Sequence, residues 1–201
     1  MHWLYYRGES PLTLEKAGAA YDSSIGYNET VGYRAGTTQA YKPLNATRLL
    51  ELPLHVMDTA LFFPSHLNLS PREAWKRVGN IVDNAVRFGG SVTVNWHDRS
   101  IAPERLWGEF YVKLVEGLKC KGAWFPTAAQ AVSWFRKRRS AEFENLRWER
   151  GEVCARIVAD VGGSLPGLRL RVHKAQEPRG LAEMGATGSE GWSDIALQDI
   201  E

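Results

Sequence analysis

The stretch Gly90-Ser-Val-Thr-Val-Asn-Trp-His97 decides the fold of this chain. Residues 91–96 alternate between apolar and polar types, which is typical of a half-buried β-strand. His97 follows directly and opens the loop that continues with Asp98-Arg-Ser100. Helical patterns flank this strand on both sides, so we expect a parallel α/β arrangement. In such folds the C-terminal ends of the strands carry the chemistry, and His97 stands at one of them.

Residues 49–90 show the same order of strand and helix. Leu49-Leu-Glu-Leu-Pro-Leu-His-Val-Met57 is strand-like and ends at Asp58. Ser70-Pro-Arg-Glu73 is a capping box with proline at the first helical position, and Gly89-Gly90 ends the predicted helix. The pattern therefore predicts a strand, a crossover helix and a second, parallel strand.

The order continues after His97. Pro103 is expected to open a helix that stops at Gly122, and residues 123–125 are expected to form a short strand. Thr127-Ala-Ala-Gln130 caps a last helix, which ends in the basic run 136–139. Four cations at a helix C-terminus face the negative end of its dipole, so this run does not indicate a nucleic-acid partner.

The two ends of the chain differ from this central part. Before it, Ser10-Pro11 starts a predicted helix, Tyr21-Asp-Ser-Ser24 is strand-like, and residues 25–48 are predicted as loop. After about residue 142, residues 152–160 and 168–172 alternate with period two. Residues 176–192 are predicted as a loop, with a last strand at 193–198. We therefore expect two domains, residues 1–141 and an antiparallel β segment at 142–201.

Composition excludes several classes of protein. The chain has 201 residues, a net charge of +2 and only two cysteines, which gives no electrostatic case for nucleic acid and no disulfide framework. No apolar run is long enough to cross a bilayer. The first residues lack the features of a signal peptide, so a cytoplasmic location is expected. The oligomeric state is not indicated.

Three polar residues fall at apparent strand ends, namely Asp22, Asp58 and His97. Arg34 lies in the glycine-flanked turn Gly32-Tyr-Arg-Ala-Gly36, which could cover the same face. A histidine with carboxylates and an arginine can perform acid–base chemistry on an amide or ester, because histidine transfers a proton near neutral pH and arginine binds negative charge.

Each of these residues also has a structural interpretation. His97 could be an ordinary loop residue, both aspartates could cap turns, and Arg34 could form a surface ion pair. His55 alternates with apolar neighbours and is expected to be structural. Most tryptophans fit core positions, and Trp96, beside His97, is the best candidate for a pocket wall.

The order of four motifs resembles the polysaccharide deacetylase family, the nodulation-type deacetylases of carbohydrate esterase family four. The motifs are Tyr21-Asp-Ser-Ser24, Gly32-Tyr-Arg-Ala-Gly36, Glu51-Leu-Pro-Leu-His-Val-Met-Asp58 and Gly90-Ser-Val-Thr-Val-Asn-Trp-His97. The resemblance covers about residues 1–140. It implies a distorted (β/α) barrel, present here only in part, a zinc-like divalent metal, and an N-acetylated glycan as substrate.

The resemblance also implies roles for single residues. His97 would be the general acid that protonates the leaving amine, Arg34 would orient the catalytic base, and Asp58 would support the histidine or the arginine. Trp96, Tyr33 and Asp22 would contact the substrate. The chain departs from the family where Ala35-Gly36 replaces the usual proline and where Thr59, not the frequent tryptophan, follows Asp58.

The family's metal-binding motifs are not found in this sequence. The family carries an Asp-rich motif on its first strand and a His-x-x-x-His motif on the next, and neither occurs here. A complete barrel typically needs about 250 residues. The sequence is therefore expected to be the later part of a metal-dependent deacetylase. The alternative is a non-catalytic carbohydrate-binding or assembly module with the same fold.

Overall fold

A computed structural model describes residues 2–149, 152–159, 165–173 and 192–196. The chain divides into two units, Met1–Val132 and Ser133–Glu201. The boundary between these units lies inside the helix Ala128–Arg139. The boundary expected from the sequence, between residues 141 and 142, lies nine residues later. The C-terminal half of this helix contacts the segment that follows, where the Trp134 indole N–H donates to the carbonyl oxygen of Pro166 at 3.2 Å.

The first unit contains short strands joined by helices. In chain order its elements are α1 (Ser10–Lys16), β1 (Tyr21–Asp22), β2 (Leu50–Glu51), β3 (Leu54–Met57), α2 (Asp58–Phe62), α3 (Pro71–Phe88), β4 (Thr93–Asn95), α4 (Gly108–Cys120) and the first part of α5 (Ala128–Arg139). Single 3₁₀ turns cover His2–Leu4 and Asp98–Ser100.

Two pairs of parallel strands carry the polar strand ends. β1 pairs with β2, and β3 pairs with β4 across the crossover formed by α2 and α3. The predicted parallel pairing around His97 is therefore confirmed. The single strand expected at 49–57 is split at Pro53, because proline has no N–H to donate to a neighbouring strand.

Helix α3 forms as its sequence predicts. The Ser70 hydroxyl accepts from the N–H of Glu73 at 3.4 Å, and the Glu73 carboxylate accepts from the N–H of Ser70 at 2.9 Å, which completes the capping box. The apolar face of α3 is buried in the core of the first unit. This core contains Val56, Met57, Leu61, Phe62, Ala74, Val78, Ile81, Val82, Phe110 and Leu114.

Two elements predicted after His97 are wrong. The helix starts at Gly108, not at Pro103, because Leu106 has a left-handed φ of 59° and the chain then folds back closely. A Cβ at Gly108 would lie 2.9 Å from the carbonyl oxygen of Ile101, so only glycine fits this approach. Residues 123–125 do not form a strand, and Trp124 and Phe125 are exposed.

The capping of the last helix is confirmed. The Thr127 hydroxyl accepts from the N–H of Gln130 at 3.2 Å, and the Gln130 side chain accepts from the N–H of Thr127 at 2.8 Å. Helix α5 follows and runs to the predicted basic C-terminus.

The described part of the second unit contains two pairs of antiparallel strands. Its strands are β5 (Glu142–Glu149), β6 (Glu152–Val158), β7 (Arg169–His173) and β8 (Trp192–Ala196), paired β5 with β6 and β7 with β8. Strand β5 was not expected, and the predicted loop at 176–192 lies outside the described residues up to residue 191. The described strands form four two-stranded sheets, and the partial barrel stays a prediction. None of the helices in the described ranges combines the length and apolarity needed to span a bilayer.

Candidate acid–base site

Asp58 and His97 meet at the C-terminal ends of two neighbouring strands. Met57 of β3 is paired with Asn95 of β4, so the residues that follow each strand leave the sheet side by side. Asp58 is the first residue of α2, and His97 immediately precedes the 3₁₀ turn Asp98–Ser100. The parallel pairing therefore brings together two residues that are 39 positions apart in the sequence.

The Asp58 carboxylate binds His97 at two points. Its Oδ1 atom lies 2.7 Å from the imidazole Nδ1, and its Oδ2 atom accepts from the backbone N–H of His97 at 2.8 Å. The backbone N–H of Thr59 also donates to Oδ1, at 2.7 Å. Asp58 is fully buried, and a buried carboxylate needs such donors to offset its lost hydration. Three N–H donors thus hold Asp58 and fix the position of His97.

This geometry assigns the two ring nitrogens of His97. Because the carboxylate accepts hydrogen bonds, Nδ1 carries a proton, and the second nitrogen, Nε2, is left to react. In the part of the chain that the structure describes, no residue forms a hydrogen bond with Nε2. The His97 side chain is 35% exposed, so solvent can reach it. A ring oriented in this way can give or take a proton at Nε2.

The Trp96 ring is packed against aromatic residues of the core. It stacks on Phe110 with a centroid distance of 5.9 Å and an interplanar angle of 7°, and it contacts Tyr111 at 5.3 Å. Its Nε1 atom is buried and has no hydrogen-bond partner among the described residues. Trp96 is next to His97 in the sequence, but its ring is packed between β4 and α4, against Phe110 and Tyr111.

Tyr33 is bound to helix α3. Its hydroxyl group donates to the carbonyl oxygen of Ile81 at 3.3 Å and accepts from the Asn84 side chain at 3.1 Å. Its ring lies edge-on to His55 with a centroid distance of 5.5 Å. These contacts attach the glycine-flanked turn to α3, and they occupy the hydroxyl of a residue that was expected to contact the substrate.

Asp22 lies with a second carboxyl group rather than with His97. Asp22 is paired with Glu51 across β1 and β2, and Tyr41 pairs with Glu51 on the other side through two backbone hydrogen bonds of 2.8 and 3.0 Å. Residues paired across strands point to the same face. Asp22, Glu51 and Tyr41 therefore form a row. The charges of Glu51 and Asp22 act on the Tyr6 hydroxyl, and we call these four residues the carboxyl–tyrosine cluster.

Glu51 is the residue in this cluster that sequence reasoning missed. It is fully buried, its Oε1 atom accepts from the N–H of Ile25 at 2.7 Å, and its Oε2 atom is buried with no hydrogen bond from any described residue. Burial, and then the charge of Asp22, raises the pKa of Glu51 to about 7. The sequence did contain a signal for this residue, because Glu51 is the one carboxyl group within the largely apolar run 49–57.

The tyrosines of the cluster respond to the same environment. Burial, and then the charge of Glu51, raises the pKa of Tyr6 and of Tyr41 above the ordinary value. The positive charge of Arg34 acts in the opposite direction on Tyr41, which places Arg34 near this cluster. The Arg34 guanidinium donates to the carbonyl oxygen of Gly26 at 2.8 Å. Within the described ranges it forms no hydrogen bond or ion pair with Asp58 or His97.

The zinc-like metal implied by the resemblance does not fit the described residues. Among them, no group of three or more histidine, cysteine, aspartate or glutamate side chains could hold a metal ion. Asp58 is occupied by N–H donors, and Nδ1 of His97 is bound to it. We therefore derive no chemical step through a metal from this part of the chain.

Comparison with known proteins leaves the family open. No family model, no curated protein and no solved structure matches this chain. The interpretation of Asp58 and His97 therefore depends on their geometry and on the order of the motifs.

Proposed function

We propose that this chain is the proton-transfer part of an amide hydrolase, in which His97 acts as general acid and Asp58 positions it. The observation that carries this proposal is the hydrogen bond of 2.7 Å between the buried Asp58 carboxylate and Nδ1 of His97. It leaves Nε2 of a partly exposed ring as the atom that can exchange a proton with a bound molecule.

The chemistry assigned to His97 is the protonation of a leaving amine. When water has added to the carbonyl carbon of an N-acetyl group, the C–N bond breaks and the nitrogen needs a proton to leave as a neutral amine. Protonated His97 supplies this proton from Nε2, and acetate is the other product. Asp58 remains an ionised hydrogen-bond acceptor throughout, since it stabilises the imidazolium and holds the ring in orientation.

The substrate class follows from the resemblance to polysaccharide deacetylases. On this basis we propose an N-acetylated amino-sugar polymer, with the chain as the later part of a metal-dependent enzyme. Activation of the attacking water is assigned to no described residue. Arg34 binds the carbonyl oxygen of Gly26 and Asp22 is paired with Glu51, so in this proposal they take no part in proton transfer by His97.

The test is release of acetate from tetra-N-acetylchitotetraose (here chitotetraose) by the protein, measured with and without added zinc. We expect His97→Ala to lower the rate by about 10²–10⁴-fold, the usual contribution of a general acid. The matched control is His173→Ala, which removes an exposed histidine from β7 of the second unit and is expected to leave the rate unchanged.

Two results would contradict this proposal. The first is equal acetate release by the wild type and His97→Ala. The second is a wild-type protein that binds chitotetraose in calorimetry but releases no acetate either with or without zinc, which would favour the non-catalytic carbohydrate-binding module.

A further inference from the structure

A groove between α3 and α4 lies within the first unit. It has a volume of about 360 Å³, within the range of roughly 300–1,000 Å³ that small-molecule sites occupy. Its floor is apolar and includes Val78 and Leu114, which are 1% and 3% exposed. None of its lining residues belongs to the Asp58–His97 pair or to the carboxyl–tyrosine cluster.

Two helical glycines keep this groove open. Gly79 of α3 and Gly117 of α4 both line it, and glycine is a poor residue for the interior of a helix. A Cβ added at Gly79 would meet nothing within 4 Å, and one at Gly117 would touch only the Trp75 ring, at an ordinary 3.6 Å. Packing therefore does not require glycine at either position. The consequence of both glycines is space above the floor of the groove.

Trp75 forms one wall of the groove and is 45% exposed. Its ring meets the ring of Phe110 edge-on, with a centroid distance of 5.5 Å and an interplanar angle of 79°. This contact with a buried residue holds the indole in a fixed orientation. An indole that is both held and exposed offers a flat apolar surface on which a ring can stack.

The rim of the groove offers both hydrogen-bond donors and acceptors. Lys121 binds Asp83 at 3.2 Å, so the pair links the end of α4 to α3, and Asn80 and Lys76 add further polar groups. From Trp75 to Asp83, α3 rises by about 12 Å, which limits the occupant to a short molecule. An apolar floor with a mixed polar rim matches a pyranose ring, which has apolar C–H faces and hydroxyl groups around its edge.

We propose that this groove is a binding site for a neutral sugar, with one pyranose ring stacked on Trp75 and its hydroxyl groups bound by Asn80, Asp83 and Lys121. The α3/α4 sugar site is independent of the proposed function, because binding there needs neither His97 nor acetate release. It would hold a glycan chain against the protein at a position separate from the acid–base site.

The test is a titration of the full chain with chitotetraose. Calorimetry gives the Kd, and ¹H–¹⁵N spectra report on the indole N–H groups. Gly79→Leu fills the groove without removing any contact, and we expect its Kd to rise at least tenfold. Gly79→Ala is the matched control. Its Kd should stay within twofold of the wild type, and its Tm should rise by about 2–4 °C, because alanine favours the helix and meets no neighbour.

The indole signal of Trp75 should shift on binding in the wild type and in His97→Ala, and Trp75→Ala should weaken binding at least tenfold. Equal Kd values for the wild type and Gly79→Leu would overturn the site, as would the absence of chitotetraose binding to the wild type. Binding that persists in His97→Ala while acetate release is absent from the wild type would refute only the proposed function.

Discussion

His55 lies on β3 and His97 lies two residues after the neighbouring parallel strand β4, but the two differ in what their ring nitrogens contact. His55 on β3 is 2% exposed, and both of its nitrogens are used. Nε2 lies 3.0 Å from the carbonyl oxygen of Thr37, and Nδ1 accepts from the N–H of Thr93 at 3.2 Å. His97 follows β4, uses only Nδ1 and exposes part of its ring. His55 joins the loop at Thr37 to the sheet, whereas His97 is held by Asp58 with Nε2 available for proton transfer.

The difference in ring contacts follows from the position of each histidine relative to its strand. His55 lies in the middle of β3, where burial lowers its pKa and favours the neutral ring. His97 stands beyond the last paired residue of β4, where one side of the ring meets Asp58 and the other meets solvent. A histidine between paired residues is therefore structural here, and a histidine just past them can take part in chemistry.

The largest effect is expected from Asp58→Asn, which tests whether Asp58 is what distinguishes His97 from His55. An amide can donate to Nδ1 and so favour the wrong tautomer, and we expect acetate release to fall by about 10²–10⁴-fold. The control is Asp98→Asn, an exposed carboxylate next to His97 that does not bind the ring. A similar loss of rate in both variants would mean that charge alone, and not the orientation of the ring, is responsible.

A smaller effect is expected on stability, where alanine substitutions of His55 and His97 should lower the free energy of unfolding by different amounts. His55→Ala leaves the N–H of Thr93 and the carbonyl of Thr37 without partners and opens a cavity, so we expect a loss of about 3 kcal/mol in the free energy of unfolding. His97→Ala leaves two backbone donors on Asp58 and should cost about 1 kcal/mol. Urea unfolding of both variants gives the comparison, and the reverse order would contradict the structural role of His55.

Glu51 is buried like His55, but one of its carboxyl oxygens has no hydrogen-bond partner among the described residues. Its folded pKa of about 7 lies above the ordinary value of 4.5, so the unfolded chain loses the proton first as pH rises. Its contribution to stability is therefore complete below pH 4.5 and is lost between pH 4.5 and about 7. The difference between these values corresponds to a free energy of the order of 3 kcal/mol.

Glu51→Gln tests this because glutamine cannot ionise and still accepts from Ile25. The stability of the variant, measured relative to the wild type by urea unfolding, should rise between pH 5 and pH 8. His55 acts with the opposite sign, since its contribution is lost as pH falls below 6.5, and it cancels in this difference. A constant difference between the two proteins across this range would show that Glu51 has an ordinary pKa.

Local signals in the sequence predicted the elements around the site. The capping boxes at Ser70 and Thr127 and the alternation before His97 each specify short-range structure, and the parallel pairing of β3 and β4 follows from the helix between them. The same reasoning failed at Pro103, where the left-handed backbone of Leu106 and the close approach at Gly108 start the helix later. Both are tertiary features with no local pattern.

The site was predicted in part for the same reason. Asp58 and His97 follow paired strands, so their meeting could be expected from topology. Asp22 was expected on the same face, but β1 pairs with β2 and not with β3 or β4, which places Asp22 beside Glu51. Strand order is set by pairings between distant segments. The grouping of polar strand ends into two separate clusters therefore could not be read from spacing along the chain.

The most direct test of the central claim is the tautomeric state of the two histidines, measured by long-range ¹H–¹⁵N correlation spectra of the ring nitrogens above pH 8. We predict that His97 carries its proton on Nδ1 and His55 on Nε2, and that Asp58→Asn changes the spectrum of His97 only. A His97 ring with its proton on Nε2, or in rapid exchange between the two tautomers, would contradict the orientation by Asp58 on which the proposed acid–base role depends.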